Sequence, residues 1–314
     1  MTVQITLRPT RISASMLFVL AMTALISGCA SQREALGPVV EPDAFARWLA
    51  DRPTERRVIL DARDADAYAA GHVAGAVRVD TVAWRPESLS AETSLEHDAH
   101  WYERIGALGI SGRDPVVVYD DGRMTEAARV WFVLQHLGVP EVSVLNGGYP
   151  ALQKLIAEGS IPVSRAPTPP DPTPFDPPRP MLAGVSLVDR HEVRRSVEQS
   201  EAQILDARTR EEYTGLDLRR NPRGGHIPGA IHLAHGQLLD PDGRLKSPEE
   251  LAALFEQAGF QRDKPIITHC DGGGRASLAA LAAHRAGYGP VMNYYLSFGD
   301  WAADAQCPVE RHEG

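Results

Sequence analysis

Cysteine is scarce in this chain: the 314 residues hold three, at positions 29, 270 and 307. Three thiols are too few for a disulfide framework, and the two that follow Cys29 are too few for a thiolate zinc site. Positive charge is also in short supply. Lys and Arg number 32 against 41 acidic residues, a net charge of −9, which argues against an electrostatic grip on nucleic acid. Aromatic residues make up 6%, and no basic-aromatic stripe is present on which bases would stack. After the first 28 residues no segment is long and apolar enough to span a bilayer. What remains is a chain 43% hydrophobic, of a length that suits two ordinary domains or one large one.

Residues 1–28 stand apart from the rest. Arg8 and Arg11 precede an apolar stretch from Ile12 to Ile26, of signal-peptide length and short for a membrane span. It closes with Leu25-Ile26-Ser27-Gly28-Cys29, which resembles a bacterial lipobox. The resemblance implies removal of residues 1–28, lipidation of Cys29 and membrane attachment through that lipid only. Ala30, rather than Asp, implies sorting to the outer membrane, facing the periplasm. The plainer alternative is an ordinary secretory peptide with an incidental cysteine. In an oxidising compartment an unpaired thiol is a liability, so Cys270 needs a chemical reason to be there.

The chain repeats itself once. Val58-Ile-Leu-Asp-Ala-Arg63 leads to Gly71-His72-Val-Ala-Gly-Ala76, and Ile204-Leu-Asp-Ala-Arg208 leads to Gly225-His226-Ile-Pro-Gly-Ala230. The interval is far beyond a solenoid repeat and is that of a duplicated domain. Between the copies lies Arg165-Ala-Pro-Thr-Pro-Pro-Asp-Pro-Thr-Pro-Phe-Asp-Pro-Pro-Arg-Pro180, too rich in proline for a helix or central strand. The divisions expected are a leader at 1–28, a domain at 38–164, a linker at 165–182 and a second domain at 183–312. Each half alternates short Val/Ile runs with helical stretches. Strands are expected at Val116–Tyr119, Val142–Leu145 and Ile266–His269, and helices at Glu126–His136, Pro248–Ala258 and Arg275–Ala286. That order predicts an α/β fold, each half a mainly parallel sheet with helices on both faces. His72 and His226 read as turn histidines bonded to nearby backbone, since one copy stands near a loop with no cysteine.

The chemistry concentrates in Thr268-His-Cys-Asp-Gly-Gly-Gly-Arg275. Ligands of open α/β sheets collect where strands end and helices begin, and Cys270 occupies such a point. Gly272, Gly273 and Gly274 allow successive N–H groups to turn inward as an anion nest, to which a helix N-terminus adds partial positive charge. Both favour thiolate, the nucleophilic form. Arg275 is expected either to hold a bound anion or to close the loop on its own carbonyls. The matching loop of the first half, Tyr119-Asp-Asp-Gly-Arg123, has no thiol, so the fold itself does not demand one. Asp121-Gly-Arg-Met124 lacks the Gly-rich nest of the second loop.

The two Asp-Ala-Arg and Gly-His-x-x-Gly-Ala motifs, with the Cys-x-x-Gly-x-Arg loop, resemble the tandem-domain rhodaneses, or thiosulfate sulfurtransferases. The resemblance spans residues 38 to 312. It implies two rhodanese-like domains, a catalytic second one and an inactive first one with Asp120 at the cysteine position. Tyr294-Tyr-Leu-Ser-Phe-Gly-Asp-Trp301 is similar to the family's Asp-Gly-Ser-Trp-x-Glu-Trp segment. The implied reaction moves a sulfane sulfur from a small-molecule donor to a thiophilic acceptor through a persulfide on Cys270. Asp271, Gly272, Gly273, Gly274 and Arg275 would bind the substrate, with no metal and no organic cofactor. His232 and His235 have loose ligand-like spacing but no partnering cluster. Cys307 reads as a packed bystander.

The loop departs from both familiar forms of the family. Animal thiosulfate enzymes resemble Cys-Arg-Lys-Gly-Val-Thr here and mercaptopyruvate enzymes Cys-Gly-Ser-Gly-Val-Thr. Asp271 instead puts a negative charge beside the thiolate, and Glu212 falls where the animal enzymes carry a substrate-binding Arg. Three alternatives follow: a 3-mercaptopyruvate sulfurtransferase, a non-catalytic persulfide carrier lipoprotein, and a phosphatase or arsenate reductase on the same fold. The last is disfavoured because Cys270 to Arg275 is Cys-x₄-Arg, one residue short of the usual oxyanion cradle.

Overall fold

Val116-Val-Val-Tyr119 and Ile266-Ile-Thr-His269 are short runs in which every residue is buried, and each forms the central strand of a five-stranded sheet. The computed structural model describes residues 36–51, 56–178 and 184–311; the lipobox and Cys29 lie outside them. The first half runs β1 (Val39–Val40), α1 (Pro42–Ala50), β2 (Val58–Asp61), α2 (Ala65–Ala70), β3 (His72–Val73), β4 (Val77–Arg78), α3 (Thr81–Leu89) and α4 (Asp98–Gly106). It continues with β5 (Val116–Tyr119), α5 (Thr125–His136), β6 (Val142–Leu145), α6 (Gln153–Ala157) and β7 (Val163–Ser164). The second half runs β8 (Val185–Leu187), α7 (Arg190–Gln199), β9 (Gln203–Asp206), α8 (Arg210–Thr214), β10 (Ile231–His232) and α9 (Pro248–Ala258). It ends with β11 (Ile266–His269), α10 (Gly274–Arg285), β12 (Val291–Asn293) and α11 (Ser297–Ala303).

The sheet orders are β1-β6-β5-β2-β4 and β8-β12-β11-β9-β10. They match strand for strand, and every neighbouring pair is parallel. Helices flank both sheets, as expected of an α/β fold. Capping is written locally. Ser247 accepts from the Glu250 N–H while Glu250 reaches back to the Ser247 N–H, with Pro248 opening α9. Thr209 and Glu212 make the same reciprocal cap on α8.

The repeated motif is a bracket. Arg63 forks onto Asp61 and donates to the Gly71 carbonyl at 2.8 Å; Arg208 forks onto Asp206 and donates to the Gly225 carbonyl at 2.8 Å. A buried guanidinium thus ties the end of β2 or β9 to the following Gly-His turn. His72 and His226 stack on Tyr68 and Tyr213 with ring centroids 3.8 Å apart, and their Nδ1 atoms lie 2.9 and 3.0 Å from the carbonyls of those tyrosines. These are structural bonds to nearby backbone. His232 and His235 likewise bond the Arg208 and Ala207 carbonyls.

From Leu36 onward the chain forms one compact unit. The largest hydrophobic cluster runs through both halves, because α5 and α10 pack against each other. Alanines 276, 279, 280, 282 and 283 keep α10 slim enough for that contact. The Pro-rich stretch is extended and lies along the first half. Thr173 N–H donates to the Gly106 carbonyl, Asp176 N–H to Ser111, and Phe175 meets the Tyr102 ring edge-on. A Cβ on Gly106 would fall 2.5 Å from the Thr173 carbonyl, so the groove is cut for this segment.

Candidate active site

Cys270 is the first residue beyond β11, 2% exposed, at the carboxyl end of the central strand. Its backbone is held on both sides by α11: the Cys270 N–H donates to Ser297 Oγ at 3.1 Å, and its carbonyl accepts the Phe298 N–H at 3.0 Å. Sγ accepts N–H bonds from Gly272 at 3.4 Å and Gly273 at 3.2 Å, with Ser297 Oγ 3.7 Å away. The Ser297 backbone has φ of 63°, a left-handed conformation. Such backbone is stored at sites whose surroundings enforce it, and here it puts the hydroxyl beside the sulfur. Arg208, of the second bracket, stacks on the Phe298 ring at 3.9 Å.

The glycines do different jobs. Gly273 has φ of 90°, and a Cβ there would lie 2.7 Å from the Tyr295 ring. Gly272 faces the Arg85 guanidinium, 3.1 Å from where a Cβ would stand. Gly274 opens α10 and leaves room for Arg129, whose Nη2 would be 2.8 Å from a Cβ. Gly272 and Gly273 therefore form the nest, while Gly274 serves the contact between halves.

Arg275 has a partner that the sequence did not suggest. Its guanidinium makes a two-pronged pair with Glu212, at 2.5 and 2.8 Å. Against the cost of burial, the bonds from Arg275 hold the Glu212 carboxyl down to about 2. Asp271 is half-buried and accepts from Asn221 Nδ2 at 2.9 Å. It borders an open cleft of about 710 Å³ whose other charged walls are Arg85, Arg219, Arg220 and Asp217. Arg85 comes from α3 of the first half. The cleft's positive charge thus comes from arginines that sequence reasoning did not single out.

The first half holds a carboxylate where the second holds sulfur. Asp120 is 1% exposed, and its oxygens accept the N–H groups of Gly122, Met124, Glu126 and Ala127 at 3.0 to 3.1 Å. This loop lacks the glycine run of the second, yet its N–H groups converge on Asp120. The nest exists without a glycine run, because Met124 itself takes φ of 62°, and Asp120 fills it. Burial pushes the Asp120 carboxyl up to about 6 against the pull of those N–H groups. The helix N-cap lies one residue closer to Cys270, at Gly273, than Met124 lies to Asp120. Cys307 packs in a separate cluster with Ile227, Phe298 and Trp301, and burial pushes its thiol up. Among the described residues no group of three His, Cys, Asp or Glu could hold a metal ion, and no helix is long and apolar enough to cross a membrane.

Comparison with known proteins settles the family. The description "Rhodanese-like domain" matches residues 42–155 and again 189–304. The chain belongs to the rhodanese family. This rhodanese is 32% identical over 274 residues to the thiosulfate sulfurtransferase of Mus musculus, covering 81% of this chain and 90% of the relative. It is 31% identical over 281 residues to the 3-mercaptopyruvate sulfurtransferase of Escherichia coli K12, covering 84% and 96%. Among solved structures, the anaerobic ergothioneine biosynthesis enzyme from Chlorobium limicola superposes with a TM-score of 0.76 at 22% identity, over 88% of this chain and 71% of that one. That likeness concerns the fold alone. The protein is thus a tandem rhodanese of the sulfurtransferase family.

Proposed function

We propose that this rhodanese is a thiosulfate sulfurtransferase that works through a persulfide on Cys270. One observation carries the reading: a buried thiol receives two backbone N–H groups at the end of a central parallel strand, beside a cleft walled by three arginines. The Cys270 thiolate attacks the outer sulfur of thiosulfate. The S–S bond of the donor breaks, sulfite leaves with the bonding pair, and the persulfide keeps one negative charge on its outer sulfur. Preorganised N–H donors stabilise that charge without reorganising. Cyanide or a cellular thiol then attacks the outer sulfur and regenerates the thiolate, so the two half-reactions are ping-pong. Arg85, Arg219 and Arg220 bring the anionic donor to the cleft.

A second donor has specific support. Glu212 neutralises Arg275, and Asp271 stands next to the thiol. Both favour a monoanion such as 3-mercaptopyruvate over a dianion. The likeness to thiosulfate and 3-mercaptopyruvate sulfurtransferases favours sulfur transfer over the phosphatase reading. We also infer that lipid on Cys29 tethers the protein to the outer membrane, facing the periplasm, with its partners limited to small-molecule donor and acceptor. The test is steady-state thiocyanate formation from thiosulfate and cyanide by wild type, Cys270→Ser and Cys307→Ser. Cys270→Ser should be inactive and Cys307→Ser should retain most of the rate. Release that stops after one equivalent in the wild type would mean a carrier rather than an enzyme.

A further inference from the structure

The first half carries no thiol, yet one of its side chains reaches the loop that carries Cys270. Arg129 sits in the middle of α5, 3% exposed, in the otherwise apolar run Ala127-Ala-Arg-Val-Trp-Phe-Val-Leu134. A charge buried so deeply needs partners. Its Nε lies 3.1 Å from Glu126 Oε2, and Nη1 donates to the Tyr295 hydroxyl at 2.6 Å and to the Gly272 carbonyl at 3.1 Å. The last bond crosses from the first half into the catalytic loop. The Gly272 carbonyl and the Gly273 N–H belong to one planar trans peptide unit and point in opposite directions. The carbonyl end faces Arg129; the N–H end faces Cys270 Sγ at 3.2 Å. A single peptide unit therefore spans the gap between a buried cation and the sulfur.

We propose that Arg129 is a positioning residue for sulfur transfer: by holding the Gly272 carbonyl it aims and polarises the Gly273 N–H that stabilises the anionic sulfur of Cys270. This rests on the reading of Cys270 as the sulfur carrier. The physical basis is mutual polarisation of hydrogen bonds in series, which is stronger in a low-dielectric interior. Other charged groups lie around the same loop. Arg275 from α10 is engaged by Glu212 of α8. Asp271 in the loop is bonded to Asn221, and Arg85 from α3 lies over Gly272. His269, one residue back and fully buried beside Asp206, is held neutral at pH 7 because burial pushes its pKa down to about 4. Arg129 differs from all of these in gripping the nest's own peptide. It also gives the first half a purpose that needs no chemistry of its own.

The test is alkylation of Cys270 by iodoacetamide in the full-length protein, followed on the Cys270 peptide by mass spectrometry across pH. No sulfur donor is involved, so the result stays readable even if Cys270 carries no sulfur. Arg129→Met should move the pH midpoint of alkylation upward and slow the reaction at pH 7 about tenfold, the equivalent of one pH unit. Under steady-state assay its kcat should fall with little change in KM, because Arg129 does not line the cleft. Glu126→Gln removes the carboxylate that partly neutralises the guanidinium, and should move the midpoint downward. A folded Arg129→Met protein whose alkylation profile overlays the wild type overturns the proposal. If Arg129→Met does not fold, a Glu126→Gln profile identical to wild type overturns it instead.

Discussion

Replacing Gly273 with alanine tests the nest with a single methyl group. Two costs follow from the geometry. The backbone at φ of 90° and ψ of −41° is one that an L side chain rarely adopts, and such strain costs about 1–3 kcal/mol. The new Cβ would also stand 2.7 Å from Tyr295 Cε2 and Cζ, well inside the roughly 3.5–4.0 Å of ordinary carbon contacts. Tyr295 cannot retreat easily. Its hydroxyl is held by Arg129 at 2.6 Å and lies 3.2 Å from Ser88 Oγ, and its ring stacks on Phe132 at a centroid distance of 5.7 Å. The loop must therefore move, taking the Gly273 N–H off the sulfur. Losing one such donor costs on the order of 10²–10³ in kcat, and strain plus overpacking should lower stability by about 2–6 kcal/mol. Gly272→Ala is the matched control. Gly272 has no left-handed backbone, and its Cβ would meet only the tip of the exposed Arg85 side chain at 3.1 Å, which can swing aside. Its effect should stay within about threefold in kcat, as for substitutions with no special geometry. The assays are thiosulfate:cyanide kinetics and thermal melting. Wild-type turnover in Gly273→Ala, or equal losses in the two variants, would refute the reasoning.

At pH 4, where Asp120 is protonated, Asp120→Asn should destabilise the first half by about 1–3 kcal/mol, because an amide NH₂ would face N–H donors that now meet carboxyl oxygens; at pH 7 the difference should shrink or reverse, because Asn carries no buried charge. Burial holds the Asp120 carboxyl at about 6 in the folded chain, above the ordinary value of 3.8, so the folded chain binds that proton more tightly. Its contribution to stability is therefore present below about pH 4 and falls by roughly 3 kcal/mol as pH rises to 6 and above; urea unfolding should show that slope in wild type and lose it in Asp120→Asn. Asp271→Asn keeps an oxygen for Asn221 but removes the charge beside the thiol, and should lower the KM for thiosulfate by up to about tenfold, less at high salt. An equal loss of rate with thiosulfate and 3-mercaptopyruvate, independent of salt, would make Asp271 a brace instead. Cys29→Ser should leave the membrane fraction in cell fractionation, since acyl chains supply the only anchor in this account.

The strand-loop-helix units were readable because their physics is local. Val116–Tyr119 and Ile266–His269 are β-rich runs, and the Cys270 loop announces itself by glycines after a strand. The duplicated Asp-Ala-Arg and Gly-His signals were readable as a repeat, but not as a bracket. Their pairing becomes visible only when Arg208 meets a carbonyl 17 residues away. The pairing of Arg275 is not legible for a related reason: its partner Glu212 lies 63 residues back and arrives through α8. The nest around Asp120 is not legible in the sequence because no glycine run marks it; Met124 adopts the left-handed backbone itself, beside Gly122. Arg129 left a signal that went unused, a lone charge in an eight-residue apolar run. Its target carbonyl, 143 residues on, could come only from the packing of α5 on α10. Arg85 left no signal in sequence at all.

The central claim is that Cys270 carries sulfur. The direct measurement is intact-protein and peptide mass spectrometry after brief exposure to thiosulfate, and in parallel to 3-mercaptopyruvate, without any acceptor. One added sulfur on the Cys270 peptide, released as thiocyanate when cyanide is supplied and absent in Cys270→Ser, is the predicted result. No sulfur on Cys270 with either donor, or transfer that persists in Cys270→Ser, would contradict the account.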